Sequence, residues 1–366
     1  MNKKFMDLAI ELAEKGKGQT APNPCVGAVI TKENKILGKG YHKKYGGPHA
    51  EVEAIDDALS KGHNLEGSTL WVTLEPCNHY GKTPPCTNAI LRYKIKKVKI
   101  GTKDPNPNVC GGGAEYLRGN GVDVEIGICE DECRFLINDF ITWNNKQRPY
   151  IYLKLAQTID GKIASKSGDS KWISCEKSRE MVHSLRERVD AILVGGNTFY
   201  KDNPKLTPRL TSKNKKDPYA IILTSNLPDP DANFYLLQKR PTKTIFFTTD
   251  TVSEEKIKRL QDRGVKIFPL YKTAQGVNIE DGFKWLFSEL NVYYVLCEGG
   301  GKLANTLLNS NLVDELFLFV APIVIGDDSA ISSFSGNDIG KISDAKRLSV
   351  RGVKIVDRDV LIHLTP

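Results

Sequence analysis

Nothing in this 366-residue chain is apolar for long enough to cross a membrane as a helix. The longest apolar run, LFLFVAPIVI at 316–325, is about half of the roughly 20 residues a spanning helix needs, and Pro322 interrupts it. Glycine (31) and proline (18) are not in excess, and neither a low-complexity tract nor an internal repeat appears, which excludes fibrous, disordered and solenoid architectures. Eight cysteines are too few, in a chain this long, for a disulfide scaffold. In a reducing compartment, neighbouring cysteines are more often metal ligands or catalytic groups. The opening segment MNKKFMDLAIELAEKGKG lacks the unbroken apolar core of a secretory signal and carries Asp7, Glu11 and Glu14. Phe5, Leu8 and Leu12 recur there at helical spacing, so an amphipathic helix is expected. The expected location is cytoplasmic, with no membrane partner. Aromatic residues do not interleave with the lysines of RYKIKKVKIG (92–101) or TSKNKKDP (211–218) as a base-stacking groove requires. The net charge of +8 fits nucleic acid or a phosphorylated small molecule, and solvated strand ends and loops are the plainer reading.

What the chain does contain is enough for two ordinary domains. With 40% hydrophobic and 26% charged residues it reads as globular. In the first half, CVGAVIT and KILGKGYH are short apolar runs parted by KENK, which predicts a hairpin. A helix is expected from about Pro48, with Val52, Ile55 and Leu59 on one face. The strand STLWVTL, the helix TNAILRYKI and the strands KVKIGT and DVEIGI follow. Strands alternating with helices imply a sheet covered on both faces. After the helix-like EDECRFLINDFITW, the polar WNNKQRPY (143–150) marks a boundary near 146, giving domains 1–145 and 147–366. The second half again alternates, from the strand YIYLKLAQ through the helix EKSREMVHSLRERV to a last group of strands beginning ELFLFVAP. The fold class is α/β in both halves.

Chemistry concentrates in two segments. GGPHAEVEAI (46–55) places His49 and Glu51 two apart, just after Pro48, a residue suited to the first position of a helix. TLEPCNHYGKTPPC holds Cys77 at the end of a buried strand and Cys86 at the start of another helix, where the helix N-terminus favours a thiolate. His49, Cys77 and Cys86 would bind one zinc and leave its fourth position to water, the pattern of a catalytic site. Glu51 would be the proton shuttle and not a ligand, as in the zinc deaminases with their H-x-E and P-C-x-x-C segments. Those enzymes usually have two residues between the cysteines. Here there are eight, and the added loop holds His79, Lys82 and Thr83, which could contact substrate.

APNPCVGAVI, GYHKKYGGPHAEVEAI, TLEPCNHYGKTPPC and DPNP (104–107) together resemble the deaminase domain of the bifunctional riboflavin biosynthesis proteins of the RibD family. LKLAQTIDGKIA, GDSKWIS, DNPKLTPR and CEGGGKLANTLL resemble the family's reductase domain, in the same order. The resemblance implies a cytidine-deaminase-like three-layer domain followed by a dihydrofolate-reductase-like domain. It implies zinc-dependent deamination of 2,5-diamino-6-ribosylamino-4(3H)-pyrimidinone 5′-phosphate. NADPH-dependent reduction of the ribosyl to a ribityl group then gives 5-amino-6-ribitylamino-uracil 5′-phosphate. One zinc per chain, NADPH, a phosphorylated ribosylaminopyrimidine substrate and a homo-oligomer are the implied partners.

Residue by residue, the resemblance implies that His49, Cys77 and Cys86 are the metal ligands and Glu51 the catalytic proton shuttle. It assigns Asn23, His42, His79, Lys82, Thr83, Asp104 and Asn106 to the deaminase substrate. In the second half, EGGGKLANTLL alone fits either an anion site at a helix N-terminus or a tight strand–helix turn. The resemblance assigns Gly300, Gly301, Lys302, Leu303, Ala304, Asn305 and Thr306 to NADPH, with Ala156, Trp172, Thr198 and Asp202. Ser170, Arg186, Leu206, Arg209 and Glu298 fall at substrate positions, and Lys154 is expected to polarise the reacting sugar carbon. By residue type alone, Arg186 would be a solvated helix residue, Trp172 core and Lys154 an exposed strand lysine. Two other functions compete. A nucleic-acid-editing zinc deaminase with a basic C-terminal binding domain would suit the charge. A non-catalytic zinc scaffold would need no Glu51.

Overall fold

The computed structural model describes residues 3–105, 112–209, 217–249, 252–273, 276–337 and 339–366. Asn106, most of the lysine cluster at 211–218 and Cys110 lie outside them. The chain divides into two units, Met1–Gln147 and Arg148–Pro366. Among the described residues no helix is long and apolar enough to cross a membrane.

In the first unit, α1 (Lys3–Glu14) precedes the hairpin β1 (Gly27–Lys32) and β2 (Lys35–Tyr41). Glu33 and Asn34 both have left-handed backbone (φ 53° and 63°), the geometry of a tight two-residue hairpin turn. There follow α2 (Ala50–Ser60), β3 (Thr69–Leu74), α3 (Cys86–Arg92), β4 (Lys97–Thr102), α4 (Gly113–Gly119) and β5 (Asp123–Ile126). The sheet order is β2-β1-β3-β4-β5, antiparallel across β2, β1 and β3 and parallel from β3 to β5. Alternation along the strands fills two cores. Ala28, Ile30, Leu70 and Val72 meet α2, α3 and α4 on one face, whereas Val29 and Trp71 meet α1 on the other. The segment expected as one helix after β5 is two, α5 (Glu130–Leu136) and α6 (Asn138–Lys146), broken at Ile137.

The buried face of α2 is not the one the apolar pattern predicted. Ala50, Glu51, Ala54, Ile55 and Ala58 face inward, while Val52 is half-buried and Leu59 exposed. The cause lies in β2. A Cβ on Gly40 would stand 2.4 Å from Ala54 N, and one on Gly38 would stand 2.7 Å from Ala58 Cβ. Glycine and alanine thus let the helix lie almost directly on the strand. That rotation carries Glu51 inward.

The second unit comprises β6 (Tyr150–Thr158), β7 (Lys162–Ala164), α7 (Glu176–Arg188), β8 (Ala191–Gly195), α8 (Gly196–Asp202), β9 (Tyr219–Leu223), α9 (Tyr235–Lys239), β10 (Thr244–Thr249), α10 (Glu254–Asp262) and β11 (Lys266–Leu270). Then come β12 (Lys272–Thr273), β13 (Gly276–Val277), α11 (Ile279–Leu290), β14 (Tyr294–Cys297), α12 (Gly301–Asn309), β15 (Glu315–Ala321), β16 (Ile331–Ser332), β17 (Ser349–Val356) and β18 (Asp359–Thr365). Nine strands form one sheet in the order β11-β10-β9-β8-β14-β6-β15-β18-β17. Neighbours are parallel from β11 to β15, and β18 and β17 close the edge antiparallel. Such sheets collect ligands at the carboxyl ends of their parallel strands. Cys297 pairs with Leu153, so Glu298 leaves β14 at the level of Lys154.

Candidate functional site

In the first unit, two helix starts and one loop converge. His49 is the residue just before α2 rather than in its first turn. Cys86 is the first residue of α3, as expected. Cys77 does not end the strand: β3 stops at Leu74, and Cys77 lies three residues beyond it, half-buried. His49 Nδ1 is 3.5 Å from Cys77 Sγ and 3.3 Å from Cys86 Sγ, and all three ligand atoms lie within 4.8 Å of one another. Tetrahedral zinc, with bonds of about 2.0–2.3 Å, places its nitrogen and sulfur ligands about 3.5 Å apart. The donor set therefore fits zinc. This is the one such cluster among the described residues.

The two thiols are hydrogen-bonded to each other. The hydrogen bond from Cys86, with His49 beside it, holds the Cys77 thiol down to about 4. The same contact and burial push Cys86 up. A metal ion would bind both as thiolates and displace their protons. Cys77 in turn raises His49 through their hydrogen bond. Glu51 is 3% exposed, and burial, with the Cys77 charge adding to it, lifts its carboxyl to about 7.

His42 is fixed from both sides. Its Nδ1 donates to Pro48 O at 2.9 Å, which leaves Nε2 to accept from Asn23 Nδ2 at 3.3 Å. Burial lowers its pKa. Its ring meets that of His49 edge-on at 5.4 Å between centroids. Of the loop between the cysteines, His79 is exposed, Thr83 half-buried, and Lys82 Nζ stands 4.0 Å over the ring of Tyr45. Asp104 is half-buried. Glu75, which the sequence reading passed over although it stands in the quoted TLEPC, is 6% exposed. It accepts from the backbone N–H of Asp104 at 3.3 Å and of Ala114 at 3.0 Å.

In the second unit, Arg186 of α7 makes a two-pronged contact to Glu298, Nε to Oε1 at 2.5 Å and Nη2 to Oε2 at 2.8 Å. Its Nη1 donates to Thr207 O at 3.2 Å. Burial acts to raise Glu298, but Arg186 outweighs it and holds the carboxyl below its usual range. Lys154 is half-buried rather than an exposed strand lysine, and burial lowers its pKa. Arg209 is exposed, and Leu206 is 3% exposed with left-handed backbone, φ 48°. His183, not anticipated although it sits one turn before Arg186, has its Nδ1 buried with no hydrogen-bond partner. Burial, then the charges of Arg186 and Arg209, hold it down to about 4.

The glycine segment does form a strand–helix turn. Gly300 precedes α12, and a Cβ on Gly301 would stand 2.4 Å from Ser332 O. Gly300 faces open space, where a Cβ would meet only Ile163 Cδ1 at 3.9 Å. Ala304 N already bonds Gly300 O, so the free N–H groups of this helix start come from residues before it. That cradle fits a dinucleotide's phosphates. Leu303 and Ala304 turn their side chains into the core, and Asn305 Nδ2 donates to Ser335 O and Asn337 Oδ1. Any cofactor contact from Leu303 is through backbone. Lys302 and Thr306 are exposed. Ala156 and Thr198 are half-buried, and Asp202 and Ser170 exposed. Trp172 is 61% exposed, with the Arg179 guanidinium 4.4 Å over its ring, not in the core as its residue type suggests.

Residues 1–102 match the cytidine and deoxycytidylate deaminase zinc-binding region, and residues 149–362 match the RibD C-terminal domain. The chain is 43% identical over 355 residues to riboflavin biosynthesis protein RibD of Aquifex aeolicus, covering 97% of this chain and 95% of that one. It is 33% identical to RibD of Escherichia coli K12, covering 98% of each. A Thermotoga maritima structure described as a diaminohydroxyphosphoribosylaminopyrimidine deaminase/5-amino-6-(5-phosphoribosylamino)uracil reductase superposes with a TM-score of 0.82, at 40% identity, over 100% of this chain and 98% of that one. With two domain types in this order and similarity along its whole length, the chain belongs to the RibD family of riboflavin biosynthesis proteins.

Proposed function

We infer that the chain carries out two successive steps on one pyrimidine nucleotide. The first unit hydrolyses the 2-amino group from 2,5-diamino-6-ribosylamino-4(3H)-pyrimidinone 5′-phosphate. The second reduces the ribosyl group with NADPH to give 5-amino-6-ribitylamino-uracil 5′-phosphate. The observation that carries the reading is the His49–Cys77–Cys86 cluster with a buried carboxyl, Glu51, beside it. A structural metal site would need no such carboxyl.

Zinc would be held by His49, Cys77 and Cys86, and when bound it would supply a water activated at neutral pH. Glu51 would take a proton from the attacking water and deliver protons to the ring nitrogen and the departing ammonia. Its carboxyl, lifted to about 7, is suited to both acceptance and donation. The C–N bond breaks, a C–O bond forms and ammonia leaves. Asn23 and His42, already bonded to each other, would hold the base or ribose. Lys82, His79, Thr83, Asp104 and Asn106 are assigned to the sugar phosphate.

NADPH supplies the hydride in the second unit. The N–H groups at the start of α12 would hold its phosphates, and Ala156, Trp172, Thr198 and Asp202 would line the rest of its site. Lys154, made easier to deprotonate by burial and within reach of the Glu298 charge, would polarise the reacting sugar carbon. Arg186, Leu206, Arg209 and Ser170 bind the nucleotide, the guanidiniums suiting phosphate. We include self-association, supported by β17, an edge strand with Val350, Val353 and Ile355 each more than 60% exposed. We also include a cytoplasmic location, in keeping with free thiols at every described cysteine. The match of 149–362 to a reductase-family domain disfavours a nucleic-acid-binding module there.

The test is Glu51→Gln. Ammonia release should fall by roughly 10²–10⁴ while one zinc per chain stays bound. Undiminished deamination would remove Glu51 from the mechanism.

A further inference from the structure

Arg240 lies far in sequence from every residue assigned to either site, yet its side chain is nine-tenths buried. Its backbone is fixed to the scaffold: Arg240 N donates to Leu236 O of α9 at 3.2 Å, and Arg240 O accepts from Thr244 Oγ1 of β10 at 2.8 Å. From that base the guanidinium reaches two separate stretches of chain. Nη1 donates to Lys205 O at 3.0 Å and Leu206 O at 3.2 Å. Nη2 donates to Pro218 O at 2.6 Å and also meets the Asp217 carboxylate. One side chain therefore ties the segment entering DNPKLTPR to the segment that leads into β9.

The next carbonyl along is taken by a second guanidinium. Thr207 O accepts from Arg186, whose other nitrogens grip Glu298. Three consecutive carbonyls, of Lys205, Leu206 and Thr207, are thus held by two arginines, one behind the segment and one within the reductase site. Leu206 between them has φ 48°, a conformation that a branched residue adopts only where its surroundings impose it. Lysine in place of Arg240 could not span both stretches, because an ammonium is a single point and a guanidinium a planar fork.

We propose that Arg240 is a positioning residue for the reductase step, fixing Leu206 and Arg209 in place for the nucleotide through the Lys205–Thr207 carbonyls. This rests on the assignment of Leu206 and Arg209 to the substrate. In this role Arg240 acts through the backbone carbonyls it holds and not by contact with substrate or NADPH.

The experiment uses full-length, zinc-loaded protein as wild type, Arg240→Lys, Arg240→Met and Asp217→Asn. NADPH oxidation is followed against the deaminated pyrimidine nucleotide, and trypsin cleavage after Lys205 and Arg209 is timed in parallel. In Arg240→Met, which loses the charged contacts to both Lys205 O and Leu206 O, the KM for the pyrimidine should rise roughly tenfold, with less change in kcat. Arg240→Lys should fall between Arg240→Met and wild type. Asp217→Asn should resemble wild type, since the carbonyl contacts remain. The KM for NADPH and the rate of ammonia release should not move, and cleavage after Lys205 should accelerate. An unchanged pyrimidine KM in the Met and Lys variants overturns the proposal, as does a parallel rise in both KM values, which would mark a general loss of structure. If the wild type does not reduce this nucleotide, the substrate assignment fails, and the cleavage comparison alone then decides the clamp. Equal cleavage rates overturn it. If Arg240→Met does not fold, Arg240→Lys carries the same comparisons.

Discussion

Gly40 in β2 lies against Ala54 in α2 so closely that a methyl group on Gly40 would stand 2.4 Å from Ala54 N and 2.5 Å from Ala50 O. Both are backbone atoms, so neither can swing aside. Ala50 immediately follows His49 and precedes Glu51. The packing of one helix on one strand therefore sets where the proposed metal ligand His49 and the proposed proton shuttle Glu51 stand.

Gly40→Ala tests that link. Relieving the contact requires α2 to move off the sheet, at a cost of about 1–3 kcal/mol for an overpacked core. Zinc content below one per chain and weaker ammonia release are expected, with NADPH oxidation on the deaminated nucleotide retained. Metal analysis alongside both activity assays checks this. Full zinc occupancy in a stably folded variant would show that α2 placement tolerates the shift.

Removing zinc separates the two steps. His49, Cys77 and Cys86 all belong to the first unit, and no other such cluster occurs among the described residues. Chelation should abolish ammonia release from the diaminopyrimidine but leave NADPH oxidation on the deaminated pyrimidine. Readdition of zinc should restore the first activity. Loss of both activities together would count against independent sites.

His183 predicts an acid-sensitive reductase unit. Its ordinary value is 6.5, and burial followed by the charges of Arg186 and Arg209 brings it to about 4, with Glu298 and Glu187 acting the other way. Between those values the unfolded chain takes up a proton that the folded one does not. Stability present near neutrality is therefore lost as pH falls from about 6.5 toward 4. The unfolding temperature of the reductase transition should fall less steeply over that range in His183→Gln than in the wild type. Parallel curves would show that the ring is not held neutral by the fold.

Much of this was legible in the residues. The hairpin at KENK needed only two short apolar runs and a turn, and Cys86 at a helix start followed from the prolines before it. Other features were hidden by the physics that makes them. The inward face of α2 is built on Ala50, Ala54 and Ala58, which carry little weight in a pattern of large apolar residues, so Leu59 looked like core and is exposed. Ile137 breaks what reads as a single helix, with φ −105° and ψ 17°. Arg240, in the polar QKRPTK, gives no local sign that its partners are more than 20 residues away. Asn305, assigned to NADPH by resemblance alone, has a side-chain amide bonded to Ser335 O and Asn337 Oδ1, which its residue type does not signal. Pairings across long sequence gaps leave no spacing to read.

The central claim is that one chain deaminates a pyrimidine nucleotide and then reduces it. The most direct measurement supplies the zinc-loaded protein with the diaminopyrimidine ribosyl phosphate and NADPH, and follows ammonia and NADPH together. One NADPH should be oxidised for each ammonia released, with oxidation lagging behind release and abolished in Glu51→Gln until the deaminated nucleotide is added. NADPH oxidation by Glu51→Gln on the aminated substrate, or ammonia release with no NADPH consumed, would contradict it.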